Sequence, residues 1–305
     1  MNPDSNLAQK IENGDFIVTA EYLPRAGTHE PADRDIVDAL SGGLCAVNVS
    51  DNPYGLAMSS LAASIALSRA GIEPVFQVVT RDRNRIAIQS DLLGAAYLGL
   101  KNVSCLSGYH QTLTDCIESS NVYDIDSIQL IAVVKKMREE GTLLGGMRFD
   151  GDFSMLAGAV ANPYMAPLEL NIIRLTKKVE AGAGFIQTQA VFDTGVFKQW
   201  FEMVRDEGVS EKTAVLAGVL PLKGAAEAER LRDTYSDFRI SDEVIKRLKD
   251  SGDADAQKKE GVAVCSEIIQ KLKEMDGLRG VHILSGGNET VVPELLDVSG
   301  LSERK

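Results

Sequence analysis

Residues 74–110 read PVFQVVT (74–80), RDRNR (81–85), IAIQSDLLGAAYLG (86–99), NVSCL (102–106) and SGYH (107–110). The two apolar, β-branched runs predict strands, and the stretch between them predicts a helix. Polar and small residues follow each strand directly. In parallel α/β folds, loops and helix N-termini converge at the carboxyl ends of the strands, and ligands bind there. This segment therefore predicts a strand–helix–strand unit with a site beside it.

The same alternation recurs along the chain. Eight short apolar runs predict strands, at 16–23, 44–50, 74–80, 102–108, 155–161, 185–192, 214–222 and 280–285. Amphipathic patterns predict helices at 59–70, 85–98, 127–140, 167–181, 195–206 and 261–275, and the charged segment 241–259 predicts an outer helix with a solvated connection. About eight strand–helix repeats in 305 residues are typical of a single-domain (β/α)8 TIM barrel, with a core over about 14–290. A doubly wound sheet is the alternative, but no glycine fingerprint follows any strand, which favours the barrel.

Composition argues against several classes of function. The chain carries 32 basic and 44 acidic residues, a net charge of −12, and lacks the clustered basic surface that nucleic-acid binding needs. No window approaches 18 consecutive apolar residues, so we expect no membrane span. No signal-peptide pattern opens the chain, and we expect a cytoplasmic protein. The four cysteines lack CxxC spacing, and with only three histidines besides, no metal site is predicted.

Glu21 is the first candidate catalytic residue. It lies within FIVTAEYL (16–23), a run otherwise suited to a buried strand. A buried carboxylate costs several kcal/mol unless it is paired or protonated. Burial raises the pKa of a carboxyl group, which prepares a proton donor for work near pH 7. The alternative is a structural ion pair, with Arg25 as the partner.

Gln187 and Gln189 alternate along the run FIQTQA (185–190) and therefore share one face of the strand. If that face is the barrel interior, two amides there indicate a ligand with hydrogen-bonding edges, such as a pterin or flavin ring. If the face points outward, the amides serve only to bridge the barrel and its helices. We expect the inward orientation.

Basic residues offer weaker candidates. Three arginines at 81, 83 and 85 follow a strand and could grip a phosphate or carboxylate. The favoured alternative is that they are solvated residues of a first helical turn, with Asp82 as the N-cap. Lys177 and Lys178 lie in a last helical turn, where the helix dipole alone accounts for cations. His110 and His282 lie at or near strand ends, and we expect packed or solvated roles for both.

With these residues assembled, the chain resembles the methylenetetrahydrofolate reductase family, in the short bacterial form that consists of the barrel alone. The resemblance covers nearly the whole length. It is densest in AE (20–21), RDRNR (81–85), DLLGA (91–95), KVEAGA (178–183), QTQ (187–189), FD (192–193) and LAGVLPL (216–222). The RDRNR version resembles the branch from anaerobic metabolism, whose members often draw electrons through partner subunits.

The resemblance implies a flavoprotein that carries FAD, or alternatively FMN, with NAD(P)H or a reduced partner as electron donor. Reduced flavin would pass a hydride to 5,10-methylenetetrahydrofolate and give 5-methyltetrahydrofolate, in one-carbon metabolism and methionine biosynthesis. Glu21 matches the family's general acid, and Gln189 matches a glutamine that contacts folate. Positions that resemble the flavin lining are Ser50, Gln77, Leu106, Ser107, Gly108, Asn162, Lys177 and Lys178. The resemblance also implies a homo-oligomer or a larger complex.

One position departs from the family's pattern. The motif after the fourth strand usually ends in Gly-Asp, whereas this chain has Gly108-Tyr109, and we assign Tyr109 to the substrate-binding set. Tyrosine is neutral at pH 7 and cannot accept hydrogen bonds as a carboxylate does. This change should ease flavin reduction and weaken pterin binding. Two alternatives to a reductase follow: a weakly catalytic or non-catalytic flavin- or folate-binding subunit of an electron-transfer or methyl-transfer complex, and a pterin-dependent methyltransferase.

Overall fold

A computed structural model of the protein describes residues 4–28, 33–235 and 238–302. Its eight strands are all parallel and pair in chain order until the eighth closes on the first, so the predicted (β/α)8 barrel is confirmed. The strands are β1 Ile17–Tyr22, β2 Ala46–Val49, β3 Pro74–Val79, β4 Asn102–Leu106, β5 Leu156–Ala161, β6 Phe185–Ala190, β7 Ala214–Val219 and β8 Gly280–Ile283. Each lies within its predicted run.

Helices surround the barrel and cover its lower end. They are α1 Asn6–Asn13, α2 Arg34–Leu40, α3 Ser60–Arg69, α4 Arg85–Tyr97, α5 Ser127–Glu140, α6 Leu168–Glu180, α7 Thr194–Asp206, α8 Ala225–Thr234, α9 Asp242–Asp250, α10 Ala254–Lys273 and α11 Val292–Val298. The sequence patterns did not predict α1, α2, α8 or α11, which span only seven to ten residues each. So few turns leave little periodicity to detect.

One predicted boundary is wrong. The solvated connection expected before residue 260 is instead the first part of α10, which begins at Ala254 with Asp253 as its N-cap. Gly261 therefore lies inside the helix, although a glycine there is normally unfavourable. A Cβ at Gly261 would collide with the backbone carbonyl of Leu222, so the glycine allows α10 to approach the loop after β7 closely.

The lower end of the barrel is closed by α1. Ser5 caps this helix by accepting a hydrogen bond from the backbone N–H of Ala8 at 3.0 Å. Leu7 is fully buried among residues from the starts of the strands, namely Ile17, Ala46, Val75, Leu156, Phe185 and Ala214. Apolar packing fills this end, so space for a ligand lies at the opposite, carboxyl end of the strands.

A second apolar cluster lies beside the open end. It joins the loop after β7 to α8, the segment that follows α8, and α9, through Leu220, Leu231, Tyr235, Phe238 and Leu248. This cluster forms one wall of the region where the ligand loops converge. No helix among the described residues is long and apolar enough to cross a membrane. All four cysteines are free thiols.

Candidate active site

Two adjoining cavities open at the carboxyl ends of the strands. The first, about 440 Å³, is lined by Ser107, Gly108, Asn162 and Lys178 among others, and we call it the Lys178 cavity. The second, about 340 Å³, is lined by Glu21 and neighbouring strand residues, and we call it the Glu21 cavity. Both volumes fall within the range of small-molecule sites, roughly 300–1,000 Å³. The predicted location of the site, at this end of the barrel, agrees with these cavities.

The two cavities share a common wall. Its residues line both of them, and they are Pro53, Gln77, Leu106, Tyr109, Val160 and Gln189. Within this wall the Gln189 amide donates a hydrogen bond to the Tyr109 hydroxyl at 3.3 Å. The Tyr109 ring also packs against Tyr235, with 5.5 Å between ring centroids. Tyr109 and Gln189, both predicted to bind substrate, are thus in contact with each other.

Glu21 lies at the end of β1 and forms part of its cavity. The Ser50 hydroxyl donates a hydrogen bond to Glu21 Oε1 at 2.9 Å. Burial is the largest influence on the Glu21 carboxyl and raises its pKa to about 7; the Ser50 hydrogen bond opposes this shift, and the Glu289 charge adds to it. The alternative of an ion pair with Arg25 is wrong, because Arg25 pairs with Asp33 at 3.5 Å.

The floor of the Glu21 cavity is a hydrogen-bonded set of buried polar side chains. The Asn48 amide donates to Gln187 Oε1 at 2.6 Å, and the Gln187 amide donates to Asn48 Oδ1 at 3.0 Å and to Thr19 Oγ1 at 3.1 Å. The Gln187 amide nitrogen also lies 3.3 Å from His282 Nδ1. Burial lowers the pKa of His282 to about 3, so the imidazole is neutral. His282 Nδ1 also lies 2.9 Å from Thr19 Oγ1, so the imidazole is part of the same network.

The structure decides between alternatives that the sequence left open. Gln187 and Gln189 both face the barrel interior, as expected, and do not bridge the barrel and its helices. His282 is not a solvated strand-end residue but a member of the floor, whereas His110 is exposed and bonds only its neighbour Thr112. Asn48 was missed altogether. The signal that singled out Glu21, a polar residue inside an apolar strand, also applies to Asn48 and His282.

The side chains of Lys177 and Lys178 point in different directions. Lys178 lines its cavity and donates a hydrogen bond to the carbonyl of Val160 at 2.6 Å. Burial, helped by the nearby Arg174 charge, lowers the pKa of Lys178 to about 8. Lys177 is exposed on α6 and lines neither cavity, because consecutive helical residues point about 100° apart. Ser50, expected beside a flavin, lines the Glu21 cavity only.

Arg81 serves the structure of the site. It is buried, pairs with Asp82 at 2.6 Å, and donates to the carbonyls of Asn52 at 2.9 Å and Tyr109 at 3.1 Å. It therefore joins the loops after β2, β3 and β4. Asp82 is occupied by this pair and does not cap α4; Asn84 does, accepting from the backbone N–H groups of Ile86 and Ala87.

The other two arginines of the cluster are paired as well. Arg83 bonds both Asp51 and Asp91, and Arg85 pairs with Asp124 at 2.7 Å. The expectation of solvated arginines is therefore wrong for Arg81 and Arg83, which form ion pairs away from solvent, whereas Arg85 pairs at the surface. Among the described residues, the basic side chains left for a ligand in the Lys178 cavity are Lys178 and the neighbouring Arg174.

Fold and site together define the protein as a (β/α)8 barrel with two adjoining ligand cavities at the carboxyl ends of its strands. The family model for methylenetetrahydrofolate reductase matches residues 6–300, and the chain belongs to this family. A probable methylenetetrahydrofolate reductase (NADPH) from Caenorhabditis elegans is 23% identical over 246 residues, which cover 80% of this chain and 34% of that protein. The chain thus spans about a third of the length of this curated relative.

Solved structures share the fold. An uncharacterized protein from Clostridium thermocellum, which binds two copies of 5-methyl-5,6,7,8-tetrahydrofolic acid, superposes with a TM-score of 0.67 at 14% identity and covers 97% of this chain and 99% of its own. Oxaloacetate acetylhydrolase in complex with oxalate superposes with a TM-score of 0.51 at 12% identity, over 98% and 86% of the two chains. At these identities the likeness concerns the barrel fold alone.

Proposed function

We propose that the protein reduces 5,10-methylenetetrahydrofolate to 5-methyltetrahydrofolate with the help of a bound flavin. Family membership supports this class of reaction. The observation that carries the proposal is Glu21, a carboxyl group whose pKa is raised to about 7 and which lines a cavity beside a floor of amide and imidazole groups. A proton donor is most effective when its pKa lies near the working pH.

The residues around the Lys178 cavity fit a flavin. Gln77 is only 8% exposed and faces both cavities, yet its amide has no hydrogen-bond partner within the described parts of the chain. A buried amide of this kind is satisfied when a ring with hydrogen-bonding edges lies against it. Arg174 and Lys178, one helical turn apart, would hold the phosphate of FAD or FMN. When bound, the flavin would supply the hydride that reduces the methylene carbon.

The Glu21 cavity would bind and protonate the substrate. Asn48, Gln187 and His282 offer donors and acceptors to the edge of a pterin, and Gln189 offers a further amide. Glu21 would give its proton to N10 as the bond between N10 and the methylene carbon breaks. The resulting iminium at N5 would accept the hydride and become the methyl group. Glu21 would then recover a proton from solvent.

We further propose that NAD(P)H or a reduced partner protein supplies the electrons for flavin reduction. The name of the nematode relative supports NADPH. The protein would work in the cytoplasm as a homo-oligomer or in a complex, and its product would serve methionine biosynthesis. FAD is the proposed cofactor, with FMN as the alternative.

A second candidate function is a weakly catalytic or non-catalytic barrel that holds folate within a larger complex. The position of Tyr109 favours it, because the side chain contributes to the wall between the two cavities. If this side chain kept two ligands apart, hydride could not pass between them, because the transfer requires reacting atoms about 3–3.5 Å apart. That the Clostridium thermocellum protein binds two copies of a methylated folate supports this candidate as well.

One anaerobic experiment separates the two functions. Purified protein is titrated with FAD and with FMN, reduced with dithionite, and mixed with 5,10-methylenetetrahydrofolate. The reductase should show a flavin band at roughly 450 nm that bleaches on reduction and returns as 5-methyltetrahydrofolate forms. Protein that stays colourless with both flavins but binds 5-methyltetrahydrofolate would contradict the reductase and support the folate-holding barrel.

A further inference from the structure

Arg230, on α8, lines the Glu21 cavity at its solvent-exposed edge. Within the described residues its guanidinium group has no ion-pair partner. The acidic residues near it on the helix have other partners: Glu227 pairs with Lys223 at 3.7 Å, Glu229 with Lys249 at 2.6 Å and Asp233 with Arg232 at 3.1 Å. Among the described residues that line the cavity, Arg230 is the one permanent cation. Its charge is therefore available to a ligand.

The lining of this cavity changes from hydrogen-bonding groups at the floor, through apolar side chains, to charged groups at the exposed edge. The floor consists of buried hydrogen-bonding groups, those of Asn48, Gln187 and His282. The sides above the floor are apolar and are formed by Leu220, Leu231, Phe238 and Leu284. The exposed edge carries Arg230; the charge of Glu227, which also lines the cavity, is matched by Lys223 at 3.7 Å. A ligand that fills the cavity should thus have a hydrogen-bonding end, an apolar middle and an anionic end.

A folate has these three parts in this order: a pterin ring, an aromatic aminobenzoyl group and a glutamate with two carboxylates. We propose that Arg230 binds a carboxylate of the glutamate tail and makes the cavity select folates with a free tail. The inference rests on the proposed folate chemistry and adds a residue that determines specificity. The reverse orientation would bury both carboxylates next to Glu21 and far from any cation of the cavity, which is unfavourable.

The test compares folic acid with its dimethyl ester, which keeps the skeleton but blocks both tail carboxylates. Binding of each compound is measured by calorimetry at low salt to the wild type, to Arg230→Gln and to Arg232→Gln. Arg232 is the matched control, because it lies on the same helix, pairs with Asp233 and Asp242, and lines neither cavity. We expect the wild type and the control to prefer folic acid by about three- to tenfold, as a partly exposed charge-assisted contact allows.

In Arg230→Gln the preference should fall to about one, and added salt should reduce it in the wild type, since salt screens exposed charges. An unchanged preference in Arg230→Gln would overturn the inference. So would an equal weakening of both compounds, which would mean that Arg230 supports the cavity and not the tail. If the wild type bound neither compound, the proposed folate function would fall together with this inference.

Discussion

Glu21 combines burial at the end of a strand with a hydrogen bond from Ser50, and its raised pKa keeps a proton on the carboxyl group near neutral pH. Glu21→Gln retains the shape and removes only the transferable proton. We expect flavin binding to persist and folate reduction to fall by about 10²–10⁴, the usual contribution of a general acid. Single-turnover kinetics of the two half-reactions measure this loss.

The other half-reaction serves as the control for Glu21. Reduction of the flavin does not need the acid, so its rate should change far less in the same variant. In the wild type, folate reduction should slow as pH rises through about 7, because the proton is then lost from Glu21. A loss of folate reduction below about threefold would contradict the general-acid role.

Tyr109 lines both cavities, so a substitution at this position changes the charge next to both ligand sites. Tyr109→Asp places a carboxylate in the wall shared by both cavities. Two charges about 6 Å apart at an effective dielectric of about 20 interact by about 2–3 kcal/mol. The flavin midpoint potential should therefore fall by an amount on the order of tens of millivolts, and folate binding should tighten through the added acceptor.

A redox titration and folate binding to the oxidised protein measure both effects. Tyr109→Phe is the matched control: it keeps the ring against Tyr235, removes the hydroxyl that accepts from Gln189, and adds no charge. Its potential should stay close to that of the wild type. If Tyr109→Asp altered neither potential nor folate affinity, the correspondence of this loop to the family's site would be wrong.

At the scale of elements, Arg81 holds the loops after β2, β3 and β4 in one arrangement through Asp82 and the carbonyls of Asn52 and Tyr109. Arg81→Ala should lower the free energy of unfolding by about 2–4 kcal/mol, because the hydrogen bonds of a buried guanidinium group to three partly exposed partners are lost together. The ligand affinity of both cavities should fall too, since the backbone of Tyr109 loses its support. Denaturant titration and ligand binding test these effects.

Arg85 provides the comparison within the same cluster. Its pair with Asp124 lies at the surface, and exposed ion pairs contribute little to stability. Arg85→Ala should therefore change unfolding much less than Arg81→Ala and leave ligand binding unaltered. Equal losses in the two variants would contradict the supporting role of Arg81.

At the scale of the whole molecule, Glu21 links folding to proton uptake. Its pKa is about 7 in the folded protein and near 4.5 ordinarily, so the folded state binds more protons between these values. The stability that Glu21 contributes is fully present below about pH 4.5 and is lost as pH rises through about 7. His282 acts oppositely: its lowered pKa stabilises the fold above about 6.5, and this contribution is lost as pH falls towards 3.

Comparing Tm of the wild type and Glu21→Gln at several pH values isolates the carboxyl group, because His282 is common to both. The Tm of the variant relative to the wild type should rise between pH 4.5 and 7 and level off above about 8. A difference that does not vary with pH would mean that the Glu21 carboxyl titrates normally in the folded protein.

The sequence by itself determined the eight strands, seven of the helices and the class of fold. Each depends on hydrophobic periodicity over a few neighbouring residues, which is a local property. It also singled out Glu21 and Gln189, because a polar residue inside an apolar strand stands out without knowledge of the fold. Short helices such as α2 and α11 escaped because they hold too few turns to show a period.

Only the tertiary structure decided which polar groups meet. The floor joins Thr19 to His282 across 263 residues, and the common wall joins Tyr109 to Gln189 across 80. The pairing of Arg83 with Asp51 likewise depends on two loops meeting at the barrel rim. Hydrogen bonds and ion pairs act over a few ångströms in space, and no local pattern encodes which distant segments barrel closure brings within that range.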